Sequence, residues 1–229
     1  TNLEKLIKIF KKSRLKKIPI ALVKVGRSKV ASKAILTHTG SLSGKEDIYD
    51  SLLQRMGIAR CETLGELCEI LKLFHIHGVL KNDKVSIMGP SGGDMAMIGD
   101  VAEKLSINFA KIPSKIKSDL KKVNHPSVLI SNPFDLQTYN WNDPRQLAKT
   151  FKLIFKTNFG LNALMLDFPN IEDCDTAEWD AIVYKFIKSS KIKKNGAIIS
   201  SLSDTLPKYL RERCLKSGVV PLQGMYEGL

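Results

Sequence analysis

His38 sits between Thr37 and Thr39 and just ahead of Gly40, inside a Ser/Thr/Gly-rich stretch from Gly26 to Gly44 (GRSKVASKAILTHTGSLSG). An imidazole nitrogen can attack a phosphoryl group and carry it as a phosphoramidate. That chemistry needs a supple neighbourhood, hydroxyl or amide donors around the phosphoryl oxygens, and a helix N-terminus facing them. A polar loop with Thr39 and Gly40 beside the ring suits it; the same residues also suit a loop histidine bonded to backbone. A second candidate is Met88-Gly89-Pro90-Ser91-Gly92-Gly93, between an apolar run and a helical pattern. There Ser91, Gly92 and Gly93 would bring backbone N–H groups and a helix dipole to a phosphate, or simply make a turn with tight packing. Asp94 in the first helical turn would oppose a phosphate unless it points away. A third is Ser131-Asn132-Pro133-Phe134-Asp135-Leu136. Asn132 and Asp135 can bond backbone amides and fix a loop at the C-terminal edge of a sheet, as a site loop or as a plain turn.

The remaining metal-ligating types form no set. His75 and His77 are two apart at a helix end and share no face, and His125 reads as structural. Cys61, Cys68, Cys174 and Cys214 lack CxxC or CxxH spacing. No metal site is expected, and the thiols read as reduced and part-buried in a cytoplasmic protein.

The elements that must position these groups follow from hydrophobic period. Leu3, Leu6, Ile7 and Phe10 recur at helical spacing opposite Lys5, Lys8, Lys11 and Lys12, an amphipathic helix with a solvated basic face. The run 18–25 (IPIALVKV) predicts a buried strand. Ser43-x-x-Glu46 is a capping box for a helix carrying Ile48, Tyr49, Leu52, Leu53 and Met56, closed by Gly57; 58–61 is a short strand. Thr63-x-x-Glu66 opens another helix with Leu67, Ile70, Leu71 and Phe74 inward. Residues 78–83 (GVLKND) read as a linker. Beyond it, strands are expected at 84–89, 107–111, 127–131, 162–168, 196–200 and 219–222. Helices are expected at 93–105, 114–122, 144–156, 176–188 and 205–216. Strands alternating with such helices build a parallel, doubly wound α/β sheet. Residues 84–229 hold strands enough for a complete domain. Residues 1–77 hold two, too few to cover a parallel sheet, so an incomplete first domain, with opening βα units upstream of Thr1, is expected.

Composition narrows the function classes. The chain has 229 residues, 43% apolar and 26% charged, an ordinary globular balance. No run approaches the ~20 apolar residues that span a bilayer, so no membrane association is expected. The net charge is +13, mostly lysine, and aromatics are only 7%, not interleaved with the basic runs as a base-stacking surface requires. Nucleic acid is a poor fit, and an anionic small molecule suits the same charge.

Together, GRSKVASKAILTHTGSLSG (26–44), GPSGGDMAMIGDVAEKL (89–105) and SNPFDL (131–136), with the closing Gly218-Val219-Val220-Pro221-Leu222, resemble the NDP-forming acyl-CoA synthetases, the ADP-forming acetate–CoA ligase relatives of succinyl-CoA synthetase. The resemblance runs from about Ile18 to the end. It implies two flavodoxin-like ligase domains, the first partial over 1–77 and the second over 84–229. It implies interconversion of acyl-CoA, phosphate and NDP with the free acid, CoA and NTP, through an acyl phosphate and then a phosphohistidine. His38 matches the phosphorylated position, Ser91, Gly92 and Gly93 match the start of a helix facing it, and Asn132 to Asp135 match the loop that follows. CoA and ATP or ADP with Mg are implied for the complete enzyme, mostly at sites outside this chain, with none bound tightly here. The expected partners are CoA-binding and ATP-grasp domains, fused or as a separate subunit, and a small-molecule acid; a homo-oligomer stays open. The missing domains imply that this chain alone does not turn over. The alternative is a non-catalytic or regulatory ligase-like module used for binding or assembly, for instance beside an acyltransferase.

Overall fold

Continuous apolar runs, rather than alternating ones, make the strands of the C-terminal part, as strands covered on both faces require. The computed structural model describes residues 3–39, 46–107, 109–169 and 174–229, the side chains of 36–39 and 46 lying outside that description. It divides into two units, Thr1–Val79 and Leu80–Leu229.

In the first unit, α1 (Leu3–Leu15) buries Phe10. Strand β1 (Ala21–Val23) pairs in parallel with β2 (Ala59–Cys61), Ala21 opposite Ala59. The further helices of the unit are α2 (Lys29–Thr39), α3 (Glu46–Met56) and α4 (Leu64–His77), of which α3 and α4 pack against the ribbon. Phe10, Leu53 and Ile58 form its small core, flanked by Leu6, Ile20, Leu22 and Met56. Gly57 ends α3 at φ +67°, the left-handed turn that glycine takes without strain. The expected cap of α4 forms with its return bond shifted by one residue: Thr63 Oγ1 accepts from the Glu66 N–H at 3.1 Å, and Glu66 reaches back past the cap to accept from the Glu62 N–H at 2.8 Å. The box expected at Ser43 and Glu46 lies outside the described residues.

The second unit is a five-stranded parallel sheet. Its elements in order are β3 (Val85–Gly89), α5 (Gly92–Lys104), α6 (Ser114–Val123), β4 (Phe134–Asp135), α7 (Pro144–Ile154), β5 (Leu161–Met165), α8 (Ala177–Ser190), β6 (Gly196–Ile199), α9 (Lys208–Lys216), β7 (Val219–Leu222) and α10 (Met225–Gly228). The spatial order is β4-β3-β5-β6-β7. Counted within the unit this is the flavodoxin-like order, reversing direction between β3 and β5. Register is set by Val85 opposite Leu161, Asn162 opposite Gly196 and Gly196 opposite Val219. Phe151 and Phe186 meet edge to face at 5.4 Å in the main core. The asparagines in the sheet are satisfied in series. Ser86 donates to Asn162 Oδ1 at 2.7 Å, Asn162 to Asn195 Oδ1 at 3.3 Å, and Asn195 to the Phe159 carbonyl at 2.7 Å.

Two expected strands are not formed. The described residues of 107–111 and all of 127–131 carry no strand, and the second strand of the unit is the dipeptide Phe134–Asp135. The reason is Asn132. Its Oδ1 accepts from the Ile87 N–H at 3.1 Å, while its Nδ2 donates to the carbonyls of Val85 at 2.8 Å and Ala110 at 2.9 Å. One side-chain amide thus stands where a neighbouring strand's peptide would stand, and the apolar residues Val128 and Ile130 are buried without a ladder. The polar stretch 26–44 also departs from a simple loop, because 29–39 is helical. Ser28 caps that helix, its Oγ accepting from the Ala31 N–H at 3.1 Å.

Candidate functional site

At the reversal point of a doubly wound sheet, the loops leaving two neighbouring strands diverge and open a crevice at their C-terminal ends. Here that crevice lies between the exits of β3 and β5. Its volume is about 580 Å³, within the roughly 300–1,000 Å³ of small-molecule sites. Ser91 and Asp94 from the start of α5, Leu166 and Asp167 after β5, Trp141 from the loop before α7 and Trp179 from α8 line it.

The Gly-rich turn is where the sequence puts it, and its groups are already in use. Ser91 is the N-cap of α5, its Oγ accepting from the Asp94 N–H at 3.2 Å. Gly89 must be glycine: a Cβ there would lie 2.9 Å from the Met165 carbonyl oxygen. Gly92 faces Asp135, whose Oδ2 would be 2.9 Å from an added Cβ. The other carboxylate oxygen of Asp135 accepts from the Gln137 N–H at 2.8 Å, the Asx turn that its residue type suggests. Gly93 adds no clash and only an ordinary contact with Ser91. The positive end of α5 is therefore met by the protein's own carboxylates, Asp135 beside it and Asp94 in its first turn. Asp94 does not turn away from the crevice but lines it. Asn132 is part of the sheet edge described above and not of the crevice lining.

Asp167, Trp141 and Trp179 have no signature in local spacing and are brought here by topology alone. Asp167 Oδ1 accepts from the Ser201 N–H at 2.8 Å and from the Thr205 hydroxyl. The Trp179 indole N–H donates to the Asp167 carbonyl at 2.9 Å, and that of Trp141 to Glu178 Oε2 at 2.9 Å. The two rings meet edge to face at 5.3 Å. A lone acidic residue closing the apolar run NALMLDF is the one sequence signal that could have drawn attention to the β5 exit.

In the first unit, His38 falls in the last turn of α2 rather than in a loop, and its side chain, with that of Thr39, lies outside the described residues; so does Gly40. The start of α2 is anchored by Ser28 and by Ser32, whose hydroxyl donates to the Gly26 carbonyl at 2.7 Å. Beside it, Arg27 bonds Glu62 at 2.8 Å and approaches Asp50 at 3.7 Å, and Asp50 also pairs with Arg60. Among the described residues no group of three or more His, Cys, Asp or Glu could hold a metal ion, so the Mg implied by the resemblance finds no ligand set there. His125 stacks on Tyr139 at 4.1 Å while its Nδ1 accepts from the Ser127 N–H. All four cysteines are free thiols. No helix among the described residues is long and apolar enough to cross a membrane.

Residues 1–74 match the family described as the succinyl-CoA ligase-like flavodoxin domain. The chain is 31% identical over 133 residues to the acetate–CoA ligase [ADP-forming] of Methanocaldococcus jannaschii, covering 58% of this chain and 19% of that protein. It is 29% identical over 121 residues to the alpha subunit of acetate–CoA ligase [ADP-forming] II of Pyrococcus furiosus, covering 53% of this chain and 26% of the subunit. Among solved structures, the acetyl-coenzyme A synthetase 1 of Candidatus Korarchaeum cryptofilum, in complex with phosphate and ADP, superposes with a TM-score of 0.78 at 17% identity. That match covers 97% of this chain and 47% of the other, and it supports the fold. The chain thus spans between about a fifth and a quarter of these curated relatives, and about half of the solved one.

Proposed function

We propose that this chain, which carries a succinyl-CoA ligase-like flavodoxin domain and is a relative of the ADP-forming acetate–CoA ligases, is the ligase portion of an acid–CoA ligase with His38 as its phosphoryl carrier. The reaction interconverts acyl-CoA, NDP and phosphate with the free acid, CoA and NTP. A His38 ring nitrogen attacks the phosphorus of an acyl phosphate, the P–N bond forms and the carboxylate leaves. The phosphoryl group then passes from nitrogen to the terminal oxygen of NDP, restoring the imidazole. CoA, the nucleotide and Mg belong to the complete enzyme and its other domains or subunit. The observation that carries the reading is the Thr37-His38-Thr39-Gly40 sequence inside the stretch matched by the domain family, followed by a second unit of flavodoxin-like strand order. In the complete enzyme, His38→Ala is expected to lower acid-dependent NTP consumption at least about a thousand-fold, as loss of a covalent nucleophile does. Normal turnover by that variant refutes the role.

One feature favours a second reading, a non-catalytic ligase-like module. Asp94 and Asp135 occupy the positive end of α5, where a bound anion would otherwise gain most. Mass spectrometry for acid-labile phosphate on His38 after incubation with NTP separates the two, since a non-catalytic module stays unmodified.

A further inference from the structure

We propose that the crevice between the β3 and β5 exits binds a purine base bearing an exocyclic amine, its ring against Trp141 and Trp179 and its amine donating to Asp94. The crevice lining alone carries this assignment, and its test reads adenosine binding to this chain rather than phosphoryl transfer by His38. The chain has two tryptophans, and both line this one cavity. Each indole N–H is committed elsewhere, to Glu178 Oε2 and to the Asp167 carbonyl. What the pair offers a ligand is therefore aromatic surface, which takes a flat heterocycle by stacking.

In the lining that the rings share with Asp94, the charge argues for a hydrogen-bond donor and against a small anion. The Asp94 carboxylate has no hydrogen-bond or ion-pair partner among the described residues. An ionised carboxylate only accepts, so the complementary edge is an amine. Asp167 and Asp135 add negative charge nearby, and the Ser91 hydroxyl already accepts from the α5 backbone. Inorganic phosphate would face two or three carboxylates to reach one helix end. Apolar Met165 and Leu166 supply the floor, while the exposed Asn142 stands at the mouth, where a ribose can remain in water. The volume of about 580 Å³ accommodates a nucleoside with room for solvent.

Because both tryptophans are at the site, their emission reports it directly. Titration of the chain with adenosine is expected to change tryptophan fluorescence saturably. Purine riboside, which lacks the amine, should bind about ten-fold or more weakly, as loss of a hydrogen bond to a charged group implies. Asp94→Ala should weaken adenosine by the same factor and leave purine riboside unchanged, a pattern that general damage to the fold would not produce. The assignment is overturned if adenosine gives only unsaturable quenching, if the two nucleosides bind alike, if Asp94→Ala weakens both equally, or if inorganic phosphate displaces adenosine at comparable concentration.

Discussion

Cys214 on α9 is fully buried, and that burial pushes its thiol up to about 12 against a smaller opposing pull from Arg213. The raised value has a definite sign for stability. Below the ordinary thiol range of about 8.5 both folded and unfolded chains hold the proton and nothing is lost; above it the unfolded chain ionises first, so stability falls as pH rises toward 12. Comparing wild type with Cys214→Ala by urea unfolding at pH 7 and pH 10 should show the smaller pH-dependent loss in the variant, whatever its loss at neutral pH. In native protein a thiol reagent should label exposed Cys68 readily and Cys214 only on unfolding. A different constraint acts at Gly92, where a methyl group would meet Asp135 Oδ2. Gly92→Ala should therefore push the Asp135 carboxylate aside and cost about 0.5–1.5 kcal/mol, the worth of its hydrogen bond from Gln137, and the same change should cost less in an Asp135→Ala background in thermal unfolding.

The start of α7 was legible because its signal is local: Asp143 Oδ1 accepts from the N–H groups of Arg145 and Gln146, both at 3.0 Å, with Pro144 at the first helical position. Asp143→Ala should lower stability by about 1 kcal/mol, the usual worth of such a cap. The runs at 107–111 and 127–131 were not legible, because an apolar segment such as Ser127-Val128-Leu129-Ile130-Ser131 reads the same in a strand and in a buried extended loop. What decides between them is Asn132, whose amide reaches Ile87, 45 residues earlier in the chain. Asn132→Ala leaves the Ile87 N–H and the carbonyls of Val85 and Ala110 without that partner and should cost at least about 2 kcal/mol, given roughly 1–3 kcal/mol for a buried group left unpaired. The helix over 29–39 was misread for the opposite reason: serine, threonine and glycine around it suggest a loop, yet Ser28 and Ser32 spend their hydroxyls anchoring α2.

The alternation of strands and helices from β3 onward made the parallel sheet predictable. The crevice was only half visible: the Gly-rich turn announces one wall, whereas Trp141 and Trp179 meet through a strand order that no local spacing encodes. The two units also differ in how they are held. β3, β5, β6 and β7 are buried nearly throughout, while β1 and β2 form a ribbon of two strands with mostly half-buried residues. Native-state hydrogen exchange should therefore find the slowest amides in β5 and β6, with those of β1 and β2 exchanging at least about a hundred-fold faster. The borders of the large sheet have a further effect on how the protein behaves when crowded. On one side the border strand β4 is only the dipeptide Phe134–Asp135, and the asparagine amide occupies the donor and acceptor that β3 presents beyond it; on the other, Pro221, paired with Ile198 in β7, brings no N–H of its own. A stranger's strand arriving at either border finds its hydrogen-bonding template interrupted. So strongly apolar a layer can then be concentrated without zipping onto its copies.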